Sequence, residues 1–198
     1  MLQAAVDALD EASPIGDPRR VQLVGASCLV AREHALSLRL LMTVGAGTSA
    51  ISLLRLQYES ITRAMWLTWA ADDAWLEKLD AAPSVDAERA AGKLPLQSAM
   101  LEQLGDKAPK PAYDMLVSFR DAQMKTLNSF VHGGLHPLAG VRDGYPEPLL
   151  INVVQCSNAL STMGAMLAAI WTNDPPTIRA AQDIQLEFRD CLPALMKD

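Results

Sequence analysis

The chain has 198 residues, 50% of them hydrophobic, 20% charged and 5% aromatic, with a net charge of -6 and a pI near 5.0. That composition fits one domain over 1–198 with a sizeable core and excludes disordered, collagen-like and disulfide-scaffold chains. An acidic chain sets up no long-range field towards phosphate backbones, which excludes a general nucleic-acid coat protein.

Ala and Leu together number 59 against 18 for Val and Ile. That balance favours helices over pleated sheet, so the expected fold is an all-α, single-domain bundle of five or six main helices. The three cysteines, Cys28, Cys156 and Cys191, form no CxxC and are odd in number, as in reduced core thiols. The opening MLQAAVDALDEASP lacks a basic n-region and a long apolar run, so a cytoplasmic location is expected.

In chain order, a first helix is expected over about Leu2 to Ala12, ended by SPIGDP. Asp17 followed by Pro18 reads as an N-cap with proline at the first helical position, opening a long helix that Gly45 and Gly47 end. Ser49 restarts a helix expected to run unbroken to about residue 80, with three of the four tryptophans in its C-terminal part. Residues 81–111 carry Pro, Gly and Asp punctuation and read as an irregular, lid-like segment of short helices. A helix over about Ala112 to Val131 follows, then HGG and a long loop over 133–147. The stretch Pro148 to Asn173 has no charge over 26 residues. It is long enough to cross a bilayer. However, its internal Asn and Gln residues and the lack of flanking Lys or Arg predict a central bundle helix, not a membrane span. Its apolar excess also predicts a homodimer formed through helix-on-helix contact. A last amphipathic helix is expected from DPPT to near Met196.

Two polar stripes stand out. Arg55, Glu59 and Arg63 fall within an arc of about 80° on an otherwise apolar helix. They predict a buried Arg-Glu-Arg ladder, which serves either as a structural ion network or as a pocket. Asp121, Lys125, Asn128 and His132 cluster within about 60° on the 112–131 helix, and His132 leads into Gly133, Gly134 and His136. A histidine there can accept and donate a proton, with Arg or Lys beside it holding an oxyanion or phosphate. The same residues also suit a helix-terminal histidine with a glycine cap. The two stripes are expected to meet, with Arg55, Glu59, Arg63, Asn128 and His132 as catalytic candidates and Lys125 and His136 as substrate-binding candidates.

The strings LLRLQYESITRAMWLTWAA and LNSFVHGGLHPL resemble those of an uncharacterised bacterial all-helical family related to the HEPN-like helical bundles. In many HEPN proteins an Arg, four to six further residues and a His form the centre of a metal-independent ribonuclease at a dimer interface, often paired with a nucleotidyltransferase antitoxin. The resemblance thus implies an RNA or nucleotide ligand, an antitoxin partner and a toxin or defence role, with activity degenerate or intact. Asn128 and His132 match the pattern. Its Arg has no counterpart, because residue 127 is Leu and the basic residue in range is Lys125. Lys lacks the planar fork that grips phosphate at two points, so Arg55 or Arg63 would have to approach from the neighbouring helix. The alternative from the residues alone is a non-enzymatic helical binding or dimerisation module.

No phosphate-loop, dinucleotide, zinc-protease or serine-hydrolase motif occurs. Glu59, Asp121, His132 and His136 lack the E-x-x-H pairing of carboxylate-bridged bundles. Neither a metal nor another cofactor is expected.

Overall fold

The computed structural model describes residues 16–82, 84–86, 89, 92 and 94–193. The helix expected over residues 2–12 lies outside them. Among the described residues the chain is all-helical, without strands, and forms eight α-helices rather than five or six.

Helix α1 spans Pro18–Thr43, with Asp17 capping it by accepting from the Arg19 amide at 2.9 Å. The Arg19 guanidinium on the same carboxylate holds Asp17 below its usual carboxyl range. Gly45, at φ +78°, supplies the left-handed step that ends α1. Gly47 instead opens α2, Gly47–Trp69.

The helix expected to run unbroken to residue 80 stops at Trp69, and α3 restarts over Asp73–Asp80. Two groups fix the break. Asp72 accepts from the Trp75 amide at 3.1 Å as an N-cap. Arg20 of α1 donates to the backbone carbonyls of Leu67 and Ala71, the latter at 2.9 Å, claiming acceptors at the freed end of α2.

Helix α4 (Gln97–Leu104) lies in the segment expected to hold short helices, and α5 spans Lys110–Val131. The expected loop over 133–147 is mostly a helix, α6, Leu135–Asp143. Pro137 sits in its first turn, where a missing amide costs no hydrogen bond, so proline there marked a helix start rather than a loop. Helix α7, Glu147–Thr172, follows the uncharged stretch, and Asn173 ends it in the left-handed region. Helix α8 stops at Glu187, not near Met196, and a 3-10 turn over Arg189–Cys191 succeeds it.

Helix α2 packs against α1, α4, α5, α6 and α7, and α7 packs against α1, α2 and α8. Leu54, Ile61, Met65 and Trp66 of α2 share one core with Val24, Leu38, Leu101, Leu116, Leu127, Leu160 and Leu167. Three covering helices explain the missing charge of α7, which is long and apolar enough to cross a membrane but has 56% of its most apolar stretch buried inside the bundle.

Polar groups inside the core are paired. Gln57 Nε2 donates to the Ser157 carbonyl (2.9 Å), and the Ser157 hydroxyl returns a bond to Gln57 Oε1 (2.8 Å), tying α2 to α7. Tyr58 donates to the Leu116 carbonyl at 2.9 Å and stacks on Phe119 at 4.5 Å, tying α2 to α5. Burial pushes the Tyr58 phenol up to about 12.

Tyr145, between α6 and α7, lies in a slot made by two glycines. A Cβ on Gly47 would come within 2.9 Å of its ring, and one on Gly140 would fall inside the ring itself. Gly140→Ala is therefore expected to lower stability by about 1–3 kcal/mol, measured by urea denaturation, because either the ring or α6 must move. Burial raises the thiols of Cys28 to about 12 and Cys156 to about 11, whereas Cys191 is exposed. At pH 8 the folded protein should show one fast-reacting thiol towards an aromatic disulfide reagent, lost in Cys191→Ser. The other two should react only as the chain opens, because they carry almost no thiolate below their raised pKa values.

Candidate site at the junction of α2 and α5

Most of α2 is buried, and its wettest stripe runs Thr48, Ser52, Arg55, Glu59, Arg63 at spacings of three and four. The predicted ladder is therefore half-buried rather than buried. Arg55 Nε donates to Glu59 Oε1 at 2.8 Å, with side-chain exposures of 21% and 31%. Arg63 is exposed and makes no ion pair or hydrogen bond among the described residues.

The other half of the junction is the end of α5. His132 caps the helix, its amide donating to the Asn128 carbonyl at 3.0 Å. Gly133 takes φ +65°, and the Gly134 amide turns back to the Ser129 carbonyl at 2.7 Å. A Cβ on Gly134 would lie 2.6 Å from the Ser129 hydroxyl, so a side chain there would have to displace that hydroxyl. That hydroxyl accepts from the His136 amide at 3.2 Å, which fixes the first turn of α6.

This turn leaves His132 exposed, with Nε2 3.3 Å from Arg55 Nη1 across the two helices. A guanidinium only donates, so a hydrogen bond here makes Nε2 the acceptor and puts the imidazole proton on Nδ1. Glu59, Arg55 and His132 thus form a relay of carboxylate, guanidinium and imidazole. Of the five residues expected to share one network, the structure joins these three. Asn128 and Lys125 sit one and two turns before His132, exposed and without side-chain partners among the described residues. The Asp121 carboxylate is taken by Arg120 at 2.7 Å, which holds it below the usual carboxyl range. The exposed His136 lies over Phe130, ring centres 6.1 Å apart, and Phe130 in turn meets Tyr145 at 5.8 Å.

Two cavities flank the core. One, of about 510 Å³, opens between the α1–α2 turn and α6, lined by Met42, Thr48, Val141, Tyr145 and Leu150 among others. Its wall includes Thr48, whose hydroxyl is 2.6 Å from the Tyr145 phenol, so it abuts the upper end of the same α2 stripe. The other, of about 310 Å³, lies between α5 and α7 over Phe119 and Leu160 and shares no residue with the relay. Among the described residues no three His, Cys, Asp or Glu side chains converge as metal ligands would.

Ser129 and Tyr145 escaped the sequence reading. The signal for both was glycine: Gly134 is small because Ser129 backs it, and Gly47 and Gly140 are small because Tyr145 fills the space between them.

Gly133→Ala forces a side chain into the left-handed region and should cost about 1 kcal/mol in urea denaturation. It should also broaden or shift the His132 ring resonances, because the turn that aims the imidazole at Arg55 is strained.

No curated protein and no solved structure matches the chain. A family model does match, over residues 28–194, and by that match the chain belongs to a family of unknown function, DUF6988.

Proposed function

We propose that the α2–α5 junction is a phosphate-binding acid–base site, taking RNA or a nucleotide without a metal, in a protein of HEPN-like type with a toxin or defence role. The observation that supports this reading is the approach of Arg55 to His132 at 3.3 Å. The likeness to HEPN bundles lacks its Arg on α5, and the guanidinium of α2 supplies one at the same imidazole. In RNA cleavage by this route the ribose 2′-oxygen forms a bond to phosphorus as the bond to the 5′-oxygen breaks. His132 takes the hydroxyl proton or returns one to the leaving oxygen, and Arg55 meets the charge on the non-bridging oxygens. Glu59 holds Arg55 by Nε and His132 faces Nη1, leaving Nη2 for phosphate. Lys125, Asn128 and Arg63 would contact neighbouring phosphates, and the exposed His136 ring would stack on a base.

The second reading, a non-enzymatic binding module with a structural ion network, is favoured by the isolation of Arg63 and Asn128 from the relay.

Purified protein incubated with total RNA in the presence of a chelator separates the two. Cleavage by wild type, with a loss of about 100-fold or more in His132→Ala and Arg55→Ala that keep their helix content, is the expected result. Intact RNA with wild type, and variants that only melt earlier, would overturn the enzymatic reading and leave the binding module.

A further inference from the structure

The 510 Å³ cavity beside α6 takes its walls from two separate pieces of chain. Residues 42 and 45–49, at the turn between α1 and α2, make one wall. Gly140 and Val141 of α6, Gly144 and Tyr145 beyond it, and Leu150 of α7 make the other. None of these residues is charged, and the polar side chains among them are hydroxyls. Thr48 and Tyr145 lie 2.6 Å apart, and whichever donates to the other, the pair keeps one O–H without a partner among the described residues.

The cavity exists only while α6 is docked against the α1–α2 turn, and α6 is loosely held. Pro137 and Gly140 are its buried residues. Leu135, Leu138 and Val141 are between 67% and 77% exposed. Gly133 and Gly144 flank the helix, both at positive φ and both with open space where a Cβ would stand. A helix with so little buried surface, set between two glycines, opens locally at a small cost, well before the bundle unfolds. What seats it is the Tyr145 ring in the slot between Gly47 and Gly140. The same ring begins the line of contacts that reaches His132. Tyr145 meets Phe130, Phe130 meets His136, and the His136 amide donates to the Ser129 hydroxyl beside the Gly133–Gly134 turn. Undocking α6 therefore releases the turn that aims His132 at Arg55.

We infer that this cavity is an effector site: an uncharged ligand with an apolar body and a carbonyl-type acceptor binds there, holds α6 docked and keeps His132 at Arg55. Ligand binding is independent of the proposed nuclease chemistry, whereas its regulatory meaning rests on that reading of His132.

The volume is that of a small-molecule site. Its wall has no charge to offset the lost hydration of an ionic ligand, whereas Met42, Val141 and Leu150 suit an apolar body and the spare O–H suits an acceptor. Because both walls are needed to enclose it, the ligand binds docked α6 and not the undocked form, so it shifts that equilibrium by its own affinity. The 310 Å³ cavity has no such leverage. It carries Asp114 in its wall and lies between α5 and α7, long helices that both contribute to the core.

The test uses prodan, an uncharged naphthalene ketone whose emission moves to the blue when it leaves water. Wild type is expected to bind it saturably. Ala46→Phe, which fills the cavity, should lower the affinity about tenfold or more at unchanged helix content, and Ala159→Phe, which fills the other cavity, should not. Ser49→Phe fills the same cavity from an exposed position and serves should Ala46→Phe fail to fold. With prodan at about ten times its dissociation constant, hydrogen exchange of the α6 amides should slow about tenfold while that of the buried part of α7 stays unchanged. The His132 ring resonances, assigned with His132→Gln, should sharpen or shift in the same titration. No saturable binding, or binding indifferent to both filling variants, would overturn the inference outright. Binding that leaves α6 exchange or the His132 resonances unmoved would overturn the effector role and leave a plain ligand site. None of these measurements uses RNA, so cleavage can fail while the effector site stands, and the reverse.

Discussion

Helix α2 is enclosed by α1, α4, α5, α6 and α7, and that enclosure dictates where this protein can carry charge. A helix covered on most sides must be apolar on most sides, because an unpaired charge in the core costs several kcal/mol. Ionisable side chains are confined to the stripe that emerges between its neighbours. Arg55, Glu59 and Arg63 lie on that stripe because no other part of α2 could hold them. The core then fixes the position of the stripe. The paired bonds between Gln57 and Ser157 lock the rotation of α2 against α7, and Tyr58, bonded to the Leu116 carbonyl and stacked on Phe119, locks it against α5. Gln57 and Tyr58 lie between Arg55 and Glu59 in sequence, so the residues that fix the helix are interleaved with those that present the relay.

The end of α5 is held from the opposite side. Ser129 backs Gly134 and caps α6, Phe130 meets both His136 and Tyr145, and Tyr145 fills the slot between Gly47 and Gly140. The position of His132 therefore depends on a chain of close contacts that returns to the first turn of α2. Imidazole and guanidinium are set from two ends of one packed unit, which is how two half-exposed side chains on different helices can keep a 3.3 Å separation.

The long helices were legible because their signals are local. Asp17 with Pro18 opens α1, the uncharged run marks α7, and spacings of three and four gather both polar stripes. The break at 70–72 was not legible, since the periodicity continues through it. What stops α2 is Arg20, fifty residues away, acting on carbonyls that no local pattern reveals. Helix α6 was hidden by its own composition, as Pro137, Gly140 and Gly144 read as turn residues. Only the structure shows Pro137 in a first turn and Gly140 pressed on an aromatic ring.

The acidic balance of the chain and a phosphate site are compatible on physical grounds. Net charge governs long-range attraction, which is screened beyond about 8 Å at physiological ionic strength, whereas Arg55 acts at contact distance. Around the relay the local balance is the reverse of the global one. Glu59 is neutralised by Arg55 and Asp121 by Arg120, while Arg63 and Lys125 have no carboxylate partner among the described residues. A polyanion arriving at this junction would meet two uncommitted cations and the free edge of a guanidinium. Such a surface would attract a polyanion weakly from a distance and hold it more tightly at contact. Under the proposed function the chain would hold one phosphate against one imidazole without coating every nucleic acid it meets, and that combination of properties would serve it.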